Sequence, residues 1–221
     1  IIVAMDKELA LLKPLLSDRQ KESDGDIDFI TGRIGDRDVV VMKSGIGKVN
    51  AALAASAMIN RYHPAIVINS GVAGGTGHGA KILDVVVGSR VAYHDVWCGP
   101  GTKWGQAAGC PEFFECPSFI RQLPCLKHPD IVHGLICSGD IFVSDKEVLD
   151  RIRHHFPEVD AVDMESAAIA QTCFMANVPF VAVRVISDTP GAADNISQYE
   201  NFWDDAPRRT FHILEQIVAE I

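Results

Sequence analysis

Short apolar runs, many of them β-branched, alternate with longer helical patterns along this chain. The runs predict six buried strands, at Ile1–Ala4, Val39–Lys43, Ala65–Asn69, Val85–Ala92, Gly134–Ser138 and Phe180–Ile186. The helical patterns lie between or after them, at Asp6–Leu16, Lys48–Arg61, Asp145–His155, Met164–Met175 and Pro207–Ile221. Strands that alternate with helices favour an α/β layered fold with a largely parallel, twisted sheet.

Two segments carry no such pattern and predict long loops. One runs from Tyr93 to about Ser118 and contains glycine, proline and aromatic residues, and the other runs from Thr189 to Phe202. Long loops in compact domains are often lids or binding loops. Both segments are therefore candidates for contact with a ligand.

Charged residues at the ends of apolar elements mark the segment from 161 to 188. Glu165 falls at the start of a predicted helix, Asp188 lies just past the end of a predicted strand, and Arg184 interrupts that strand. Open α/β sheets build their ligand sites where such elements end. A strand built for burial alone has little reason to contain an arginine, so the segment predicts a functional site.

Four motifs follow predicted strands and are expected on one rim of the sheet. They are Ala4–Glu8, Ser44–Lys48, Asn69–Gly75 and Ser138–Val143. Glycines in the second and third motifs let backbone N–H groups approach a ligand, and Phe142 in the fourth offers a face for a flat ligand. Each motif also has a structural interpretation: Glu8 can complement the dipole of its helix, the glycines can form tight turns, and Phe142 can belong to the core.

Composition narrows the class of protein. The chain has 221 residues, 48% of them hydrophobic, and a formal net charge of −9. These values predict one globular domain, residues 1–221, with a sizeable core. The acidic balance and the lack of a tract rich in lysine and arginine argue against non-specific binding to nucleic acid. No apolar run is long enough to span a bilayer and no signal peptide is recognised, so no membrane partner is expected.

The cysteines favour a reducing compartment. The six are Cys98, Cys110, Cys116, Cys125, Cys137 and Cys173, and none forms a C-x-x-C pair. No histidine spacing near them fits a zinc signature. Reduced thiols in a cytoplasmic protein are expected, with a disulfide or metal clip between residues 98 and 125 as the alternative.

Taken together and in order, the motifs resemble those of the 5′-methylthioadenosine/S-adenosylhomocysteine nucleosidases, within the wider nucleoside phosphorylase superfamily. The resemblance runs from Ile1 to about Phe202 and includes AMDKELALL, KSGIGKVNAA, NSGVAGG, YHDV, GQAAGCP, SGDIFVS, RHHFP, AVDMESAAIA, VPFVAVRVISD and YENFW. It implies a three-layer αβα domain with a central twisted, mostly parallel mixed sheet.

The resemblance also implies a reaction. The family cleaves the N-glycosidic bond between adenine and a 5′-thio-substituted ribose, with water as the nucleophile. The leaving adenine must be protonated, the ribosyl cation must be stabilised, and a water must stand on the opposite face of the sugar. Protonation and water placement suffice for this chemistry, so neither a cofactor nor a metal is implied.

Four residues match the family's catalytic groups. Asp188 matches the acid that protonates adenine N7, and Glu8 matches the residue that orients and deprotonates the water. Glu165 matches the residue that binds the ribose hydroxyls, and Arg184 resembles the group that fixes the water and the carboxylates around it. A cap or turn role for Asp188, and an internal ion pair of Arg184 with Glu165 or Asp163, are the structural alternatives.

The implied substrate contacts come from all four motifs and from the later segments. Phe142 and the backbone of Val143 are expected at adenine, Ser187 beside Asp188 or the base, and Tyr199 over the ribose and the 5′ substituent. The implied set is Met5, Ile46, Ala73, Gly74, Phe142, Val143, Val162, Met164, Ser187 and Tyr199. Within it Met5 and Ile46 are expected to line the 5′-thio pocket, because apolar and polarizable side chains suit a thioether.

Two further expectations follow from the resemblance. In the family a partner subunit closes the 5′ pocket, so a homodimer is expected, with the loop Tyr93–Gly105 and its Trp97 and Trp104 supplying the contact. Val72 stands where some relatives carry a serine that hydrogen-bonds near the water. Its apolar side chain removes one polar contact, which we interpret as tuning of the activity.

Two other classes of function remain open. A phosphorylase of the same superfamily needs anion-binding groups, typically several arginines. Glu8 would repel phosphate, and Arg184 is the one arginine in the four strand-end motifs and the segment from 161 to 188, which favours hydrolysis. A non-catalytic nucleoside-binding protein would not need Glu8, Glu165 and Asp188 together. The sequence leaves the 5′ substituent open: methylthio, homocysteinyl, plain 5′-deoxy or the futalosine type.

Overall fold

The computed structural model describes residues 1–205 and 207–221, with the side chains of 1–203 and 212–221. The strands are β1 (Ile2–Val3), β2 (Ser17–Asp24), β3 (Ile27–Ile34), β4 (Arg37–Lys43), β5 (Val67–Gly75), β6 (Val85–Tyr93), β7 (Phe114–Glu115), β8 (Ile131–Ser138), β9 (Val159–Asp163) and β10 (Phe180–Asp188). The helices are α1 (Asp6–Leu12), α2 (Lys48–Tyr62), α3 (Ser118–Arg121), α4 (Lys146–His155), α5 (Ser166–Ala176), α6 (Asn195–Asp205) and α7 (Pro207–Glu220).

All ten strands belong to one mixed sheet that partly closes on itself. Along the sheet the order is β10, β6, β8, β9, β5, β1, β4, β3 and β2, with β7 paired to β6. Parallel pairs join β1 to β4 and β5, β5 to β10, and β8 to β6 and β9, and the other pairs are antiparallel. Because β5 also pairs with β10, the strands β5, β10, β6, β8 and β9 form a closed ring.

Helices pack on the two faces of this sheet. Successive residues of a strand point to opposite faces, and here Ile2 and Met42 join one core with α2 and α5, while Val3 and Val41 join another with α1 and α7. A third cluster joins α4 to β8 and β9. The expected α/β architecture, a central mixed sheet flanked by helices, is confirmed.

The predicted strands and helices are all found, and six elements were missed: β2, β3, β7, β9, α3 and α6. Strand β2 was not predicted because it is polar and exposed along almost its whole length. The hairpin that it forms with β3 was therefore not recognised either. Strand β9 is fully buried, yet two of its five residues are aspartates, which hides the apolar run. Most of helix α6 lies in the segment predicted as a loop, and the helix ends three residues beyond it. The first predicted helix ends early, because Pro14 lacks an N–H and the chain continues as a short 3-10 turn.

No helix in the described part of the chain is long and apolar enough to cross a membrane.

Candidate active site

A cleft lies where the carboxyl ends of several strands meet, the usual ligand position in α/β sheets. It encloses about 610 Å³ of unfilled space, counting its open mouth. Thirteen of the fourteen predicted site residues line it, and Arg184 is the exception. The lining residues that the prediction did not include are Ala4, Val72, Ile141 and Asp163. The sequence could have suggested Asp163, because it lies two residues before Glu165 within the charged segment from 161 to 188.

Glu8 lies in the first turn of α1 and is held by backbone donors. One oxygen, Oε2, accepts from the N–H groups of Ala4 at 2.8 Å and Met5 at 3.0 Å, and Oε1 accepts from Val72 at 3.1 Å. The hydrogen bond from the N–H of Met5 also caps α1. Glu8 therefore stabilises the start of its helix and lines the cleft as well. Burial raises the pKa of Glu8, while the charge of Arg184 and the three N–H donors oppose that shift.

The close approach of Glu8 to β5 requires a glycine. A Cβ atom on Gly71 would lie 2.5 Å from Glu8 Oε1 and 3.1 Å from Arg184 Nη1. The glycine motif therefore brings a strand backbone against two charged side chains. The backbone N–H of Val72 donates to Glu8, and this contact does not depend on the side chain at position 72. A valine in place of a serine therefore leaves it intact.

Glu165 precedes α5 and reaches the glycine loop before α2. Its Oε1 accepts from the N–H of Gly47 at 2.9 Å, and Gly47 has a φ of 94°, which favours glycine. The N–H of Lys48 donates to Asp140 Oδ1 at 2.7 Å, which ties this loop to the Ser138–Val143 motif. Burial, and secondly the charge of Asp163, raise the pKa of Glu165 to about 7.

Asp188 ends β10 and is nearly inaccessible to solvent. Its Oδ1 accepts from Ser187 Oγ at 2.5 Å, and its Oδ2 accepts from the side-chain amide of Asn195. Burial raises the pKa of Asp188, and these two hydrogen bonds act in the opposite direction. Sequence reasoning missed Asn195, because its contact depends on how α6 folds back on the strand.

Arg184 lies beneath the cleft, 1% exposed, and does not line it. Its Nε donates to Asp163 Oδ2 at 2.8 Å and Nη2 lies 2.7 Å from the same oxygen, so the ion pair with Asp163 is formed. Ser166 Oγ and Asn69 Oδ1 also accept from Nη2. The guanidinium therefore acts on the carboxylates from below, as a fixed positive charge.

Aromatic side chains stand at the mouth of the cleft. Phe142 and Tyr199 meet edge to face, with ring centroids 5.5 Å apart, and Tyr199 Oη donates to Met5 Sδ at 3.4 Å. In the loop expected at a partner, Trp97 is 56% exposed. Trp104 instead stacks on His155 at 4.3 Å and donates to the carbonyl of His94. It is thus engaged largely within its own chain.

All six cysteines are free thiols. Within the described ranges, no group of three or more histidine, cysteine, aspartate or glutamate side chains could hold a metal ion.

The comparisons with known proteins point to one group. The family model of the phosphorylase superfamily matches residues 1–219. A 5′-methylthioadenosine/S-adenosylhomocysteine nucleosidase from a Geobacillus species is 36% identical over 227 residues, covering 100% of this chain and 97% of the relative.

Two solved structures of nucleosidases with this name are similar to this chain over almost its whole length. The Neisseria meningitidis protein, in complex with methylthio-immucillin-A, has a TM-score of 0.92 and 36% identity, covering 100% of this chain and 97% of its own. The Colwellia psychrerythraea protein, in complex with adenine, has a TM-score of 0.93 and 34% identity, covering 99% and 93%.

Proposed function

Because the chain belongs to the 5′-methylthioadenosine/S-adenosylhomocysteine nucleosidases of the phosphorylase superfamily, we propose that it hydrolyses the N-glycosidic bond of both nucleosides, releasing adenine and the 5-thio-substituted ribose. One observation carries this proposal: three buried carboxyl groups from three elements, Glu8, Glu165 and Asp188, surround one cleft. The reaction needs an acid for the base, a base for the water, and acceptors for the ribose hydroxyls. The three groups match those needs one to one.

Asp188 is the proposed general acid. Its raised pKa lets it keep a proton at a higher pH than an exposed aspartate can. In our scheme this proton passes to N7 of adenine while the bond from N9 to C1′ breaks. The electron pair of that bond stays with adenine, which leaves as a neutral molecule, and positive charge develops on the ribosyl group. The donors Ser187 and Asn195 then stabilise the carboxylate that remains.

Glu8 is the proposed general base. Three backbone N–H groups fix its carboxylate, so the position of a bound water is defined with little freedom. As the water oxygen bonds to C1′, its proton moves to Glu8. The charge of Arg184 lowers the pKa of Glu8 against the effect of burial and so favours the ionised base. We assign Arg184 as a positioning residue, because it acts through Asp163 and Glu8 without lining the cleft.

Glu165 is the proposed acceptor for the ribose hydroxyls, with Met164 packed against the sugar. The N–H of Gly47 orients its carboxyl group from outside the cleft. Hydrogen bonds to hydroxyls beside the reacting carbon strengthen as charge develops there. The glycine loop before α2 thus supports the sugar through Glu165.

The remaining lining residues suit the two ends of the substrate. For adenine we propose the face of Phe142 and the backbone of Val143, with Ser187 acting through Asp188. Tyr199 covers the ribose, and Met5 and Ile46 receive the 5′-thio group. The walls between these regions are small or short apolar side chains that leave room for a nucleoside, namely Ala73, Gly74 and Val162.

A phosphorylase is less well supported by the same geometry. Phosphate would need free anion-binding donors on the far face of the sugar. Here the N–H groups of Ala4, Met5 and Val72 already bind the carboxylate of Glu8. Arg184 is paired with Asp163 through Nε and Nη2, and its Nη1, which has no partner among the described residues, lies beneath the cleft and does not line it. An entering phosphate would meet a negative charge.

We further propose a cytoplasmic homodimer, based on an exposed apolar face. Large side chains of this face are more than half exposed on α2, on α5 and in the loop after β6: Val49, Leu53, Phe174, Met175 and Trp97. Apolar patches of this kind commonly mark protein interfaces. The free thiols are consistent with a reducing compartment.

The decisive experiment incubates the purified protein with 5′-methylthioadenosine, with and without phosphate, and identifies the sugar product. Free methylthioribose at a rate indifferent to phosphate is the expected result. A sugar 1-phosphate formed only with phosphate would assign a phosphorylase. Binding of the nucleoside without any adenine release would assign a binding protein.

A further inference from the structure

Asn195 touches the proposed acid from a helix that sequence patterns did not predict. It is the first residue of α6, and its side chain is 3% exposed. Its Nδ2 donates to Asp188 Oδ2. Its Oδ1 is buried and has no hydrogen-bond partner among the described residues.

A buried amide oxygen without a partner is costly and calls for an explanation. A carboxamide carries a donor and an acceptor on one planar group. Toward an ionised Asp188 it offers Nδ2, and this is the group that contacts Oδ2 in the structure. Toward a protonated Asp188 a half-turn of the amide would offer Oδ1 as the acceptor. The oxygen left without a partner in one proton state would therefore be used in the other.

The same residue connects the acid to the side chain over the mouth of the cleft. Tyr199 lies one turn further along α6, where it contacts Phe142 and Met5. A second contact reinforces this connection, because the N–H of Thr189 donates to Gln198 Oε1 at 2.8 Å. The start of α6 is thus hydrogen-bonded to the end of β10 at two places.

We propose that Asn195 is a positioning residue for the proton donor: its carboxamide holds the carboxyl group of Asp188 before and after proton transfer and fixes it to the helix that carries Tyr199. This inference rests on the proposed function, since it needs Asp188 to donate a proton. The carboxylate left after transfer accepts from Nδ2, and a hydrogen bond to an ionised group is among the stronger ones in proteins.

The proposal predicts a change in pH dependence. Loss of a donor to the ionised form raises the pKa of Asp188, so the activity that requires its proton persists to higher pH. The other ionisable groups that line the cleft are Glu8 from α1, Asp163 at the end of β9, Glu165 before α5 and Tyr199 from α6, and the charge of Arg184 lies beneath them. Because the substitution leaves these groups in place, a shift of the alkaline limb alone reports on Asp188.

The test compares Asn195→Leu and Asn195→Asp with a control, Asn201→Leu, at an exposed position of the same helix. Two quantities are measured from pH 5 to 10: adenine release from 5′-methylthioadenosine, and the affinity for free adenine by calorimetry. Asn195→Asp keeps the size of the side chain, so it separates loss of the donor from a packing defect.

We expect Asn195→Leu to lower kcat by about 10- to 100-fold and to move the alkaline limbs of both quantities upward by about one pH unit. Asn195→Asp should move them at least as far, because it places a second carboxyl group against Asp188. Unshifted limbs in both variants would overturn the proposal, even if the rate fell, since a packing role does not change the proton affinity of Asp188. A wild-type protein that binds free adenine but releases none from 5′-methylthioadenosine would refute the proposed hydrolysis. The alkaline limb of adenine affinity would still test the role of Asn195.

Discussion

Substituting Glu8 by glutamine removes the negative charge of the proposed base while keeping the shape of the side chain. The hydrogen bonds of Glu8 in the structure define the cost of this substitution in folding free energy. The carboxylate accepts three backbone N–H groups, two on Oε2 and one on Oε1. A glutamine has one acceptor oxygen, which can serve Ala4 and Met5, and its NH₂ group then faces the N–H of Val72.

One buried donor is therefore left without a partner, at a cost of about 1–3 kcal/mol. Against a typical stability of about 5–15 kcal/mol the variant should still fold. Its melting temperature should fall by about 2–4 °C for each kcal/mol lost. The loss of the base should reduce kcat much further, by about 10²- to 10⁴-fold.

The assay is adenine release from 5′-methylthioadenosine at neutral pH, with adenine affinity measured by calorimetry on the same samples. The control is Asp6→Asn, the same chemical change in the same turn of α1 but on an exposed side chain that pairs with Lys43 at the surface. The control should keep its rate, and Glu8→Gln should keep adenine affinity within about threefold. A Glu8→Gln variant within tenfold of the wild-type rate would show that Glu8 is not the base.

Three other substitutions test the remaining assignments. Asp188→Asn, which cannot release an acid proton, should bind the nucleoside yet lose about 10²- to 10⁴-fold in kcat, and single-turnover kinetics near the wild-type rate would contradict the assignment. The folded chain holds the proton of Glu165 up to a pKa of about 7 while the unfolded chain releases it near 4.5, so the contribution of Glu165 to stability is fully present below pH 4.5 and is lost as pH rises to about 7; urea unfolding at pH 5 and 8 should show a smaller difference for Glu165→Gln than for wild type. Leu53→Glu, a charge on the exposed apolar face of α2, should give a monomer in sedimentation analysis, whereas the exposed control Asn60→Glu should not, and an unchanged dimer would exclude that face as the interface.

Local sequence and the family resemblance together located most of the cleft. Glu165 and Asp188 were singled out because each stands at the end of a predicted element, and carboxyl ends of strands meet at one edge of an α/β sheet. The assignment of Glu8 and of most lining residues depended on the resemblance. The glycines of the second and third motifs were predicted to let the backbone approach a ligand, with tight turns as the alternative. The structure shows a positive φ at Gly47 and a close approach of the Gly71 backbone to Glu8.

Local sequence patterns could not predict contacts between segments that are distant along the chain. Arg184 had two candidate partners, and only the register of β10 beside β5 and the end of β9 directs it to Asp163. Strand β2 has no buried face to leave an alternating pattern, so its pairing with β3 was not visible.

The chain by itself thus determined the layered α/β class, the family resemblance and the residues at the strand ends, because these depend on short-range periodicity and on ordered motifs. Tertiary structure decided the rest: the ring that β5 closes with β10, the ion pair under the cleft, and the return of α6 that sets Asn195 on Asp188. The physical reason is that burial and hydrogen bonding depend on which segments meet in space, and segments far apart in the sequence carry no local sign of their partner.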